Sequence, residues 1–72
     1  MKASDVHALG DLDLVERLRE AREETFNLRF RHATGELENT AALREARRDV
    51  ARLETVARER GIDVHKELRP RT

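Results

Sequence analysis

A chain of 72 residues bounds one small domain, and a core of that size seldom supplies more than about 3–5 kcal/mol without a staple or a partner. The absence of cysteine excludes disulfides and thiolate metal sites; no apolar run approaches the roughly 20 residues of a membrane span and no signal segment opens the chain, so a soluble cytoplasmic protein is expected. Fifteen Lys and Arg balance 15 Asp and Glu at a sequence pI near 6.8, which implies weak long-range attraction to nucleic acid, while 42% charged and 3% aromatic residues favour long exposed helices over a thick core.

Ser4 is placed to cap a short first turn that holds Val6 and Leu9, and Gly10 breaks the chain before Asp11, a good N-cap residue. From Leu12 to about Ala33, Leu14, Leu18, Ala21 and Leu28, with Thr25 between, repeat at the 4-3-4-3 spacing of a packing seam. Val15, Phe26, Phe30 and Ala33 fall to one side of that seam, beside Arg22 and Arg29. Two large apolar side chains among arginines suit a surface where a partner supplies the rest of the core, or where aromatics pack against RNA sugars and bases. The expectation is that one phenylalanine packs inward and the other is shared with a partner, which makes Phe26 and Phe30 candidate protein-interface residues.

Thr34 and Gly35 end the first long helix, because glycine takes the left-handed conformation of a C-terminal cap without steric cost. Asn39 or Thr40 caps the next helix. In that helix Leu43, Ala46, Val50, Leu53 and Ala57 form a second seam. A connection this short makes the helices antiparallel, each about 30 Å long at 1.5 Å per residue. The fold class is therefore all-α: an antiparallel αα-hairpin with a short N-terminal helical turn.

About a third of a revolution from the second seam lie Arg44, Arg47, Arg48, Arg52 and Arg58, with Ala51 and Thr55 among them. Glu45 and Asp49 fall beyond the far edge, Glu54 borders the near edge, and Glu59 alone lies within the face. Guanidinium forks match phosphate oxygens with paired hydrogen bonds, and Ala51 admits a close backbone. The plainer reading is a solvated face whose arginines pair with Glu45 and Asp49, at about 0.2–0.5 kcal/mol per pair.

Arg58 and Arg60 near the negative pole of the helix, followed by Gly61, mark its end. Residues 1–60 are thus the hairpin domain and 61–72 a flexible tail, with mixed charge, Pro70 and nothing that asks to be packed. His7, His32 and His65 stand in separate segments without ligand spacing. Ser4 is the only serine, and a hairpin offers no concave site that would raise a carboxylate pKa. Neither catalysis, metal nor cofactor is expected.

Phe26, Leu28, Arg29 and Phe30, then Ala33, Thr34 and Gly35, then Leu37, Glu38 and Asn39, then Arg44, Arg47, Arg48, Val50, Ala51, Arg52 and Thr55 form an ordered set. Together with Met1, Lys2 and Ala3 it resembles the bacterial family of large ribosomal subunit protein twenty-nine, over residues 1–60. That resemblance implies a structural constituent of the large subunit that binds ribosomal RNA through Arg29, Thr34, Gly35, Asn39, Arg44, Arg47, Arg48, Ala51, Arg52 and Thr55. It further implies a place near the exit of the nascent-peptide tunnel, beside large-subunit protein twenty-three, within reach of nascent-chain factors. His7 and Thr40 stand where the family often has arginine and proline, and the neutral charge departs from its usual basic balance.

The alternative is a free helical-hairpin module that dimerises as a four-helix coiled coil through exposed seam edges. Such a module should alternate charge on the faces flanking its seam, whereas this helix collects arginine on one face.

Overall fold

The computed structural model describes residues 2–37 and 39–68. Four helices follow in order: α1 (Ala3–His7), α2 (Asp11–Ala33), α3 (Ala41–Glu59) and α4 (Val64–Glu67). The long α2 and α3 pack together as the expected antiparallel hairpin, and α1 and α4 both pack on α3. The result is a slab of 38 × 33 × 14 Å.

Both N-caps at this end differ from expectation. Lys2 is the capping position of α1 and Ser4 lies inside it, while Gly10 precedes α2 in extended conformation and Asp11 is its first helical residue; neither start has a side-chain cap. Asp11 and Asp13 nevertheless place negative charge in the first turn of α2, where it complements the helix dipole.

The end of α2 is a six-residue closure around glycine. Gly35 has φ +82°, its N–H donates to the His32 carbonyl at 3.2 Å, and the Glu36 N–H donates to the Arg31 carbonyl at 2.9 Å. These are the two bonds of a Schellman cap. The Thr34 hydroxyl donates to the same Arg31 carbonyl at 3.1 Å. At the start of α3 the two candidate caps divide the work: Thr40 occupies the cap position, and Asn39 Oδ1 accepts the Ala41 N–H at 2.9 Å.

A second cap of the same kind closes α3, with Gly61 at φ +74° and Ile62 N–H bonded to the Ala57 carbonyl at 2.9 Å. It turns the chain back over the hairpin. Ile62 and Leu68 pack against the core, Val64 is buried, and Asp63 caps α4 by accepting the Lys66 N–H at 3.1 Å. The expectation that nothing in this segment packs is therefore corrected for residues 62–68. Residues 69–72, Pro70 among them, lie outside the described residues.

The core joins all four helices: Val6 from α1, Leu14, Leu18 and Ala21 from α2, Leu53, Val56 and Ala57 from α3, and Val64 from α4. The seam residues Leu43 and Ala46 are buried farther along, while Val50, Thr25 and Leu28 are half-buried. Val56 was not part of the expected seam; it is buried because α1 covers that side of α3.

Polar ties fix the short helices. Arg60 Nη1 donates to the Leu9 carbonyl at 2.7 Å and meets Asp11 Oδ1 at 3.1 Å, and its Nη2 donates to the His7 carbonyl at 3.0 Å. One guanidinium thus holds the last carbonyl of α1, the carbonyl of Leu9 in the connecting turn and the first residue of α2, where the sequence suggested only a favourable end charge. Arg19 Nη2 donates to the Glu67 carbonyl at 2.9 Å, tying α4 to α2.

Candidate nucleic-acid interface

The solvent-facing side of α3 carries Arg44, Arg47, Arg48, Ala51, Arg52, Thr55 and Arg58, all exposed. They are brought together because the opposite stripe, Leu43, Ala46, Leu53 and Ala57, is buried and 3.6 residues per turn fix the angle between the two. The expected surface pairs form in part. Arg48 lies 3.6 Å from Glu45, Arg52 3.9 Å from Asp49, and Arg58 4.0 Å from Glu54. Arg44 and Arg47 have no ion-pair partner among the described residues. Arg44 and Arg48 also line a shallow depression of about 270 Å³ with Ala41 and Glu45.

Glu54 serves the hairpin as well as bordering the arginine face, where its other oxygen lies 4.0 Å from Arg58. Its carboxylate, largely covered, bonds Arg22 of α2 across the helix pair. The acid at the near edge of the face is thereby shared between Arg22 across the hairpin and Arg58.

The Thr55 hydroxyl donates to the Ala51 carbonyl at 2.8 Å, which leaves its lone pairs for an incoming donor. Around the turn, Arg29, Thr34, Gly35 and Asn39 are all exposed. Arg29 has no ion pair among the described residues. Thr34, Gly35 and Asn39 each hold a capping role, and a Cβ added at Gly35 would meet nothing within 4 Å. The Oδ1 of Asn39 is occupied by Ala41, so its amide hydrogens are the groups open to an acceptor.

Phe26 and Phe30 depart from expectation. They are 69% and 61% exposed, so neither packs inward. Spaced by one helical turn, they stand on the same side of α2, beyond the reach of α1 and α4, which pack on α3. Arg22, Glu23, Phe26 and Asn27 line a broad open depression of about 380 Å³.

Sequence reasoning missed one feature of the arginine helix: α1 runs beside it. Ala3, Val6 and His7 face Ala51, Arg52, Thr55, Val56 and Glu59 across a groove of about 220 Å³. Val56, an apolar residue off the seam, was the signal that a further element had to cover that side.

Among the described residues no group of three or more His, Asp or Glu side chains is arranged to hold a metal ion, and no helix is long and apolar enough to cross a membrane.

Residues 4–60 match the family model described as ribosomal L29 protein. The large ribosomal subunit protein uL29 of Streptomyces griseus is 52% identical over 63 residues, which cover 88% of this chain and 85% of that protein. The protein of the same description from Gemmatimonas aurantiaca is 53% identical over 60 residues, covering 83% and 90%. That from Finegoldia magna is 42% identical over 67 residues, covering 93% and 98%.

Proposed function

The chain belongs to the ribosomal L29 protein family, and from that premise we propose that α3 lays Arg44, Arg47, Arg48 and Arg52 against phosphates of large-subunit ribosomal RNA. The protein is a structural, non-enzymatic constituent of the large ribosomal subunit, acting in translation within cytoplasmic ribosomes. The observation that carries the phosphate reading is the state of the arginines. Arg44 and Arg47 lack an acid partner among the described residues, and the pair Arg48–Glu45 is long and exposed.

Magnitudes favour exchange. An exposed pair at helical spacing is worth about 0.2–0.5 kcal/mol, whereas a hydrogen bond to a charged group in a desolvated contact contributes about 1.5–3 kcal/mol. Because the net charge is zero, long-range steering toward RNA is weak and binding depends on these close contacts. Such contacts position the protein on the RNA without reading its sequence.

Arg29, Thr34, Gly35 and Asn39 extend the same surface around the turn, with Ala51 and Thr55 on α3 giving the backbone room. Phe26 and Phe30 form a separate site for a neighbouring protein. The family resemblance supports large-subunit protein twenty-three as that neighbour, at the exit of the nascent-peptide tunnel, within reach of nascent-chain factors. The rival coiled-coil dimer has little left to use, since the seam residues Leu14, Leu18, Leu53 and Ala57 are already buried within one chain.

Arg44→Glu combined with Arg47→Glu tests the reading without breaking any ion pair among the described residues. Helicity by circular dichroism should be unchanged, and incorporation into large subunits, followed on sucrose gradients with a high-salt wash, should fall by at least about tenfold. Normal incorporation would overturn the phosphate contacts.

A further inference from the structure

The groove between α1 and α3 has an apolar floor and a polar mouth. Ala3 and Ala51 present its apolar surface over the buried Val6 and Val56, and His7, Arg52, Thr55 and Glu59 complete the lining. Its volume of about 220 Å³ falls below the roughly 300–1,000 Å³ of pockets that enclose whole drug-sized ligands. A space of that size suits one ring system rather than a peptide or a helix.

Two observations point to the kind of ring. The groove opens on the arginine face and shares Ala51, Arg52 and Thr55 with it. A nucleic-acid strand laid on those arginines therefore passes its mouth, and folded RNA presents unstacked bases that settle on flat apolar surfaces. At the rim, Glu59 Oε2 lies 3.7 Å from Nε2 of His7.

The second observation is how firmly the outer wall is held. Helix α1 is only five residues long, yet its C-terminal end is fixed by the Arg60 bonds to the carbonyls of His7 and Leu9. A wall set in place before binding removes the entropy of ordering it afterwards.

We propose that this groove seats a single unstacked nucleotide of large-subunit ribosomal RNA. Its base lies on Ala3 and Ala51 above the edge of Val56, its phosphate meets Arg52, and its ribose 2′-hydroxyl donates to the Thr55 oxygen, whose own hydrogen goes to Ala51. Helix α1 is then the second wall of the RNA interface. The proposal rests on the RNA reading of the arginine face.

Ala3→Leu is the direct test, because residue 3 is exposed and leucine keeps the helix while filling the groove. The wild-type protein and this variant are bound to large-subunit ribosomal RNA, and each nucleotide is probed for chemical reactivity. The expected result is that Ala3→Leu restores reactivity at one unpaired base, leaves the backbone protections in place, and weakens binding about tenfold. A footprint identical to wild type overturns the groove proposal alone. Arg44→Glu with Arg47→Glu, run beside it, should remove the whole footprint, and an unchanged footprint there overturns the underlying RNA reading.

A second probe does not depend on the leucine. The chain has no cysteine, so Ala3→Cys carries a benzophenone label at one position only. In assembled large subunits a cross-link to RNA supports the groove proposal, and a cross-link confined to protein overturns it.

Discussion

Where α2 begins and α3 ends, two short helices close the hairpin over side chains that are fully buried, Val6, Leu14, Leu18 and Leu53, and Arg60 ties the elements together. Toward Gly35 the same two helices run on uncovered. There Leu43 and Ala46 are buried, Leu28 is half-buried, and both phenylalanines stand in solvent. The difference teaches that burial is concentrated at one end of a short hairpin, while the other end leaves large apolar side chains uncovered. The closed end supplies most of the buried core, and under the proposed function the open end leaves Arg44, Arg47 and the aromatics exposed for other molecules of the subunit.

The sharpest way to break this comparison is to empty the closed end. Leu53 has no exposed surface and sits where all four helices meet. Leu53→Ala should cost about 2–5 kcal/mol, against a total of about 3–5 kcal/mol for a core this small. The isolated variant should therefore be largely unfolded at 25 °C by circular dichroism, whereas Leu43→Ala, at the open end, should remain folded. Equal losses at the two positions would erase the distinction.

Arg60 tests how the closed end is held. Its three bonds to α1 and α2 predict that Arg60→Ala destabilises the protein by about 2 kcal/mol, a fall in melting temperature of roughly 10 °C. Arg60→Lys should recover only part of this, because an ammonium lacks the planar fork that reaches two carbonyls and a carboxylate together. Full recovery by lysine would reduce the clamp to a charge effect.

Much of this architecture was legible because it follows from periodicity. The seams of α2 and α3, the glycine stop at Gly35 and the arginine stripe all depend on which residues recur every third or fourth position, and the buried and exposed sets match those angles. What was not legible depends on contacts distant in sequence. Nothing near Arg60 shows that it reaches His7 and Leu9, and the burial of Val56 depends on where α1 comes to rest. The packing of residues 62–68 left a faint local trace, since Asp63 is a capping residue and Ile62, Val64 and Leu68 are apolar, but it takes the reversal at Gly61 to aim them at the core. Phe26 and Phe30 depart the other way: one is expected to pack inward and the other to be shared with a partner, yet both stand exposed and no described element covers them.

The two glycine caps give a smaller contrast between the ends. Gly35 and Gly61 have nearly the same left-handed backbone, and an added Cβ meets nothing at either. Conformational strain alone predicts about 1 kcal/mol for Gly35→Ala. Gly61→Ala should lose more, because reversal there seats Ile62 and Val64 on the core, while the chain after Gly35 returns only to begin α3. Urea unfolding of both variants measures the difference, and a larger loss at Gly35 would mean that the turn end also carries stability.

The smallest expected effect on folding belongs to the two phenylalanines, and its smallness is what makes it informative. With well over half of each side chain in solvent, Phe26→Ser and Phe30→Ser should each change the stability of the free protein by no more than about 0.5 kcal/mol. If the open end is a docking surface, the same substitutions should instead weaken retention in large subunits during a high-salt wash, since salt screens the arginine contacts and leaves apolar burial to hold the protein. A loss near 2 kcal/mol in the free protein would place these residues in the core. Unchanged retention would leave the aromatic pair without a partner and confine the assembly surface to the arginines of α3.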